Sequence, residues 1–234
     1  MKVFKRNKTN VLFICGGSGG ASIIQSFNND IFNISSLINC YDGGKSTGKI
    51  RDLIKILGPS DIRKLQSIYL KSNNKNKSLI KLFEYRLPFF LNKNNEKKYF
   101  NKNLLNKNSL KNKFIIKDFH HLKFIHNSLV YFYNFISNKE VLSSNFSLIN
   151  CIFMAEYLKT KNFKKTIDRF SEIFSIKNEI IINSYSNKYL YAITYKGNII
   201  GEDEIVSLNK NEKIKKIYIL NNKINSKVKN ELAE

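Results

Sequence analysis

Two glycine-rich stretches hold residue types suited to binding phosphate. Cys15-Gly16-Gly17-Ser18-Gly19-Gly20 follows the apolar run Val11-Leu12-Phe13-Ile14, and Asp42-Gly43-Gly44-Lys45-Ser46-Thr47-Gly48-Lys49 follows Leu37-Ile38-Asn39-Cys40. Only glycine lets the backbone turn freely through positive φ and bring bare amides close to an anion, and a helix starting directly afterwards adds the positive end of its dipole. Gly16, Gly17, Ser18 and Gly19 are thus placed to donate to one phosphate. Gly43, Gly44, Ser46 and Thr47, with the cations Lys45, Lys49 and Arg51, are placed to reach a second. The competing reading is a pair of ordinary tight turns. Asp42 suits a divalent cation such as Mg²⁺ bridging a diphosphate, or a sugar hydroxyl, or else caps its own turn. Gly43 to Lys49 satisfies G-x-x-x-x-G-K, but Ile50 stands where a P-loop needs Ser or Thr to hold Mg²⁺. The frame ending Gly44-Lys45-Ser46 has Asn39 where glycine is required.

Such loops work only if strands and helices aim them. Val11 to Ile14 reads as a fully buried strand and Ala21 to Phe27 as the helix that the first loop opens; Ser35 to Cys40 repeats the strand pattern. A helix follows over Ile50 to Ile56, ended by Gly58-Pro59, and Ser60 or Asp61 caps another running through Ile62, Leu65, Ile68 and Tyr69. This β-α-β-α order predicts an α/β, Rossmann-like doubly wound parallel sheet with both loops as neighbours at the carboxyl ends of its strands. Residues 71–143 read as a Lys/Asn-rich insertion, weakly patterned to about Lys113 apart from one anchored helix ending before Pro88. His126 to Ile136 and Phe146 to Leu158 read as core helices. Phe163, Ile167, Phe170 and Phe174 form a helical stripe that is core. Beyond it, Glu179 to Asn183 and Tyr189 to Tyr195 are β-rich, a hairpin turn at Tyr195 to Ile199 begins a small antiparallel unit, Lys216 to Leu220 reads as a buried strand, and a short polar helix ends the chain.

The 234 residues are 42% hydrophobic, enough for one domain with a real core. The net charge of +22 favours polyanions or phosphorylated ligands. Its lysines are mixed throughout with Asn and Ile, as drift in an AT-rich genome produces, and no nucleic-acid module or interleaved aromatic-basic motif accompanies them, so we read them as a solvated surface, with a basic nucleic-acid or membrane-surface binder as the alternative that rests on the charge alone. Cys15, Cys40 and Cys151 show neither disulfide nor zinc spacing and fit a reducing cytoplasm. No apolar stretch approaches the ~20 residues of a membrane span. His120, His121 and His126 sit in the irregular middle of the chain and are not read as catalytic.

Five stretches resemble the CofD/YvcK family, which includes 2-phospho-lactate transferase and the bacterial gluconeogenesis factor. Gly16-Gly17-Ser18-Gly19 is similar to the family's GGTG loop, Asp42 to Arg51 to D-x-G-G-S-S-[GA]-[KR]-L-R, and Gly58 to Arg63 to P-x-G-D-[IL]-R. Asn145-Phe146-Ser147-Leu148-Ile149-Asn150 is similar to N-x-S-[VI]-G-N, and Gly201 to Ile205 to G-E-x-x-I. The resemblance implies a nucleotide diphosphate or nucleotide sugar as ligand, with Mg²⁺, and transfer of a phospholactyl or similar phosphoryl-linked group to an acceptor hydroxyl. A non-catalytic nucleotide-sugar-binding regulator is the alternative it carries. It promotes Asp42 and Asp61 to catalytic candidates and Arg63, Asn145, Ser147 and Asn150 to ligand-binding ones. From the residues alone, Asp61 and Arg63 are a helix cap and a solvated charge, and the two Asn and Ser147 either satisfy a helix start or face a base or sugar. Lys45, Ser60 and Ile149 depart from the pattern, and the family's later G-P-G-S-x-x-T-S stretch has no counterpart, so a shortened or degenerate copy is also expected. A homodimer is compatible with all of this.

Overall fold

The computed structural model describes residues 8–15, 19–27, 31–41, 43, 45–72, 77–139, 141–209, 211–221 and 223–224. The element order is β1 (Thr9–Cys15), α1 (Gly19–Gln25), β2 (Phe32–Ile38), α2 (Lys45–Ile54), α3 (Ser60–Ser72), α4 (Lys77–Glu84), α5 (Glu96–Asn103), α6 (Lys107–Phe114), α7 (Phe119–Ser137), α8 (Leu148–Thr160), α9 (Phe163–Ile173), β3 (Glu179–Ile182), β4 (Tyr189–Thr194), β5 (Ile199–Gly201), α10 (Glu202–Val206) and β6 (Ile214–Leu220). The chain falls into two compact units, 1–39 with 59–183, and 40–58 with 184–234. No described helix is long and apolar enough to cross a membrane.

The first unit is α/β. Its sheet is parallel in the order β1-β2-β3, with Thr9 opposite Phe32 and Ser35 opposite Glu179. Alternation in β2 and β3 turns Ile34, Ile38, Ile180 and Ile182 inward, together with Ser36, whose hydroxyl hydrogen-bonds the Tyr69 hydroxyl of α3. Burial there pushes the Tyr69 phenol up to about 12. β1 is not the fully buried strand that its apolar run suggests. It pairs only with β2 among the described strands, and Leu12 and Ile14 are 54% and 80% exposed.

Helices build the rest of this unit. Three of them start on short polar caps that accept a backbone N–H: Asn106 from Ser109, Asp118 from His121 and Asn162 from Lys165. The predicted stripe is core as expected, with Phe163, Ile167, Phe170 and Phe174 all buried. Phe124, Phe170 and Phe174 pack edge to face at 5.5–5.8 Å, and Phe83 joins Phe174 at 5.2 Å. The insertion is more regular than its composition suggests. Its weakly patterned part, up to Phe114, holds α4, α5 and α6 rather than a single helix, anchored by Leu79, Leu82, Phe83, Phe100, Leu104, Leu110 and Phe114. The three histidines belong to α7, not to irregular chain, and two serve as props: His121 and His126 place Nε2 at 2.7 and 2.8 Å from the carbonyls of Ile173 and Leu105.

The second unit is smaller. β5, β4 and β6 form an antiparallel sheet in that order, and the β4–β5 turn uses Gly197 at φ +84. β6, read from sequence as a buried strand, is half-exposed, with Ile217 and Ile219 at 60% and 53%. The polar helix expected at the end of the chain falls at 225–234, outside the described residues.

Candidate functional site

In the first unit, polar side chains gather where α3 and α8 begin. Residues 145–148 are stitched to the chain leaving α4, since Leu87 donates to the Phe146 carbonyl, Asn145 to that of Leu87, and Leu148 to that of Tyr85. This forces Asn145 into the left-handed region at φ 60, a conformation that asparagine tolerates better than most residues. Arg86 Nη1 holds the Asn145 carbonyl at 3.0 Å. Ser147 is the N-cap of α8, yet its hydroxyl makes no capping bond. Asn150, one turn later, donates Nδ2 to Ser60 Oγ of α3 at 3.2 Å. The other side of this arrangement is bare: Asn145 Oδ1, Ser147 Oγ and Asn150 Oδ1 are all buried without a hydrogen-bond partner.

Asp61 lies in the first turn of α3, 9% exposed, with Lys64 Nζ 2.9 Å from its carboxylate. Its charge reaches Cys15, the last residue of β1. Burial raises that thiol above its ordinary range, a hydrogen bond with Ser36 opposes the rise, and the Asp61 carboxylate adds to it. Arg63 points elsewhere, donating Nη1 to the Phe83 carbonyl near the end of α4. Gly16, Gly17 and Ser18 lie outside the described residues, and Gly19 opens α1. A Cβ on Gly20 would sit 2.4 Å from Cys15 Cβ, so the close approach of α1 to β1 requires glycine there.

In the second unit, the second glycine stretch is only briefly a loop. α2 starts at Lys45, so Thr47, Gly48 and Lys49 are helical. Asp42 and Gly44 lie outside the described residues, as do the side chains of Lys45 and Ser46. Gly48 tucks its α-carbon against the Gly43 carbonyl, where a Cβ would meet the oxygen at 2.2 Å. Thr47 is 2% exposed, Lys49 is exposed, and Arg51 is buried. The Arg51 guanidinium donates to the Tyr41 carbonyl at 2.5 Å, to Asn187 Oδ1 at 2.9 Å and to the Lys188 carbonyl, and lies 4.7 Å over the Tyr189 ring. A cavity of about 330 Å³ opens beside it, bordered by Tyr41, Gly43, Tyr189, Tyr191 and Glu202. The Gly43 amide, one of the expected phosphate donors, gives its hydrogen to Glu202 Oε2 at 3.0 Å. Glu202 is a candidate that the sequence reading passed over, although a carboxylate in the G-E-x-x-I stretch was the available signal.

A family model described as 2-phospho-L-lactate transferase CofD matches residues 11–234. The chain belongs to the CofD family. Gluconeogenesis factors of Listeria monocytogenes serovar 1/2a and Listeria innocua serovar 6a are 32% and 30% identical to it over 82 residues, which are 35% of this chain and 24% of each relative. Two crystal structures of a UPF0052-family protein from Bacillus halodurans resemble it with TM-scores of 0.59 and 0.57 at 18% and 19% identity. These alignments cover 91% of this chain and 51% of that protein, so the CofD-family chain spans about half the length of its structural neighbour and about a quarter of the curated relatives is matched. At that identity the likeness establishes the fold. Among the described residues no group of three or more His, Cys, Asp or Glu could hold a metal ion.

Proposed function

We propose that this CofD-family chain binds a nucleotide diphosphate or nucleotide sugar, with Asn145, Ser147 and Asn150 receiving the base or sugar. The observation that carries the reading is the trio of buried, unpartnered side-chain oxygens on those three residues. A buried acceptor left unsatisfied costs roughly 1–3 kcal/mol, and a ligand N–H or O–H, or ordered water in its absence, recovers that loss. Within the first unit a phosphate of the ligand falls to the first glycine stretch; the second stretch, with Lys45 and Lys49, is a separate candidate for phosphate in the other unit. The described carboxylates do not by themselves build a Mg²⁺ cage; Mg²⁺ ordinarily keeps waters and binds through one or two carboxylates plus phosphate oxygens, a role open to Asp61 in the first unit or, separately, to Asp42 in the second. If the chain is a transferase like the protein whose name the family carries, an acceptor hydroxyl attacks the phosphorus and the nucleotide leaves, a reaction that needs positioning and charge stabilisation more than a dedicated base. The gluconeogenesis-factor relatives favour a second reading, a regulator that binds without turnover.

The test is thermal stabilisation by GDP-, UDP- and ADP-linked ligands with Mg²⁺. A ligand at 100 times its Kd adds about 2.7 kcal/mol, and its absence across the series overturns the reading. Ser147→Ala is the sharpest variant. Because the hydroxyl makes no capping bond, the apo stability stays where it is, while ligand affinity falls about tenfold, the loss of one hydrogen bond of ~1–1.5 kcal/mol. A variant less stable without ligand and equally responsive to it assigns the hydroxyl to folding instead. Product formation separates transferase from regulator.

Glu202 sets a further expectation. An anionic phosphate approaching the Gly43 amide must displace a carboxylate that already holds it. Glu202→Gln leaves a neutral acceptor of the same shape, so inorganic pyrophosphate should bind severalfold more tightly by calorimetry, within the ~1.4 kcal/mol that a tenfold gain represents. Unchanged or weaker binding would place the phosphate elsewhere.

A further inference from the structure

Between Tyr85 and Lys117 the chain carries nine basic residues and a single carboxylate, Glu96. Charge spread evenly at the chain's +22 would give this stretch about three, so the excess is concentrated here. Glu96 offsets only one of these nine charges, and it accepts from both the backbone N–H and the hydroxyl of Ser143. Lys93, Lys97, Lys98 and Lys102 are exposed and make no ion pair among the described residues. They border a groove of about 680 Å³ reaching Tyr133 and Lys139 and, sharing Lys97 with it, a shallow open face of lysine and asparagine.

Aromatic rings stand at the head of this track. Phe89 and Phe90, on the turn after Pro88, are 78% and 66% exposed. Phe90 rests edge-on against Tyr99 at 6.4 Å, and Lys113 lies 4.6 Å over the Tyr85 ring and 5.6 Å over that of Tyr99. The turn is anchored, since Ser144 Oγ donates to the Phe89 carbonyl and Asn95 Nδ2 to that of Phe90. Two bulky apolar rings are thus held out in water beside exposed lysines, the kind of surface that marks an interaction site.

We propose that the turn at Phe89 and Phe90 and the lysine-lined groove and open face along α5 bind single-stranded nucleic acid, the rings stacking on unpaired bases and the lysines following the phosphates. Single strands fit because ring faces reach only bases free of a duplex, and because the lysine and asparagine face of α5 suits a backbone with exposed base edges. A membrane surface fits less well: α5 presents Lys and Asn outward and buries Phe100, leaving no apolar helical face to enter lipid. This inference does not rest on the nucleotide reading above.

The test is fluorescence anisotropy of a labelled 15-nucleotide mixed-sequence single strand with the full chain, alongside sedimentation with vesicles of phosphatidylcholine and phosphatidylglycerol. Binding at 50 mM salt should weaken steeply toward 200 mM. The triple variant Lys97→Glu, Lys98→Glu, Lys102→Glu should lose at least tenfold in affinity and flatten the salt slope. Phe89→Ala should lose severalfold with the slope unchanged, because a stacked ring carries no charge. All four side chains are exposed, so folding is preserved, and far-ultraviolet circular dichroism confirms it. The proposal is overturned if no oligonucleotide binds at 50 mM salt, if Phe89→Ala binds like the parent, or if vesicles bind and the oligonucleotide does not.

Discussion

Arg51→Met is expected to loosen the second unit by about 3 kcal/mol while leaving the helices of the first unit protected. That unit is assembled from two stretches far apart in sequence, 40–58 and 184–234, and the Arg51 guanidinium ties them together. It is 1% exposed and joins the Tyr41 carbonyl on its own stretch to Asn187 and Lys188 on the other, with Tyr189 beneath it. Methionine fills much of the volume and satisfies none of these acceptors. Each buried orphan costs roughly 1–3 kcal/mol and the lost cation–π contact ~0.5–2. Asn187 and Lys188 are only half-buried and recover water, which holds the sum near the lower end. Arg51→Lys keeps the charge without the planar fork and should recover less than half of the loss. Native-state hydrogen exchange reads the effect directly. Amides of β4 should exchange about a hundredfold faster, and those of α7 and α8 at the parental rate. Unchanged protection of β4 would remove Arg51 from its role as clasp.

The same residue shows where sequence reading reaches its limit. Arg51 sits six positions after Lys45 in a stretch rich in glycine and cations, and from composition alone every cation there is free to meet a phosphate. Its burial depends on Asn187 and Lys188, more than a hundred residues away, which no local pattern encodes. Elements whose signal is local were legible. The i, i+4, i+7, i+11 stripe from Phe163 to Phe174 needs only 3.6-residue periodicity, and the start of α3 needs only the Gly58-Pro59 break, although Ser60 and Asp61, read as caps, are already helical. α5 was hidden because the helix E-K-K-Y-F-N-K-N buries just Phe100. The exposure of β1 was hidden for the opposite reason. An apolar run reads the same at a sheet edge as at its centre, and only pairing decides which.

The candidate site divides along the same line. Asn145, Ser147 and Asn150 were legible as a polar cluster at a helix start, and they lie there together, with Ser60 of α3 added by a hydrogen bond that spacing does not reveal. The helical start of α2 was not legible, because Gly43, Gly44 and Gly48 read as loop, whereas Gly48 is a close-approach residue inside a helix. Glu202 and its hold on the Gly43 amide belong to a stretch 159 residues further on.

Glu156→Ala is expected to cost the first unit about 2–3 kcal/mol. α8 is apolar almost throughout, and Glu156 is its single carboxylate, 1% exposed. Burying a carboxylate is expensive unless it is paired and hydrogen-bonded. Ser128 Oγ of α7 donates to Oε1 at 2.8 Å, Lys159 Nζ lies 2.5 Å from the same oxygen, and Arg169 Nε of α9 stands 3.1 Å from Oε2 as an ion pair without hydrogen-bond alignment. One side chain thus joins three helices. Alanine opens a cavity and unpairs both cations, but these are 32% and 52% exposed and regain water, so the 3–5 kcal/mol of a fully buried broken pair is discounted. Glu156→Gln keeps the volume and the Ser128 bond and should cost about 1 kcal/mol. For a chain of this size each kcal/mol moves Tm by roughly 2–4 °C, so the two variants separate in a thermal melt. If Glu156→Gln falls as far as Glu156→Ala, the charge rather than the packing holds α7, α8 and α9 together; if neither moves Tm, the three-helix junction rests on its phenylalanines alone.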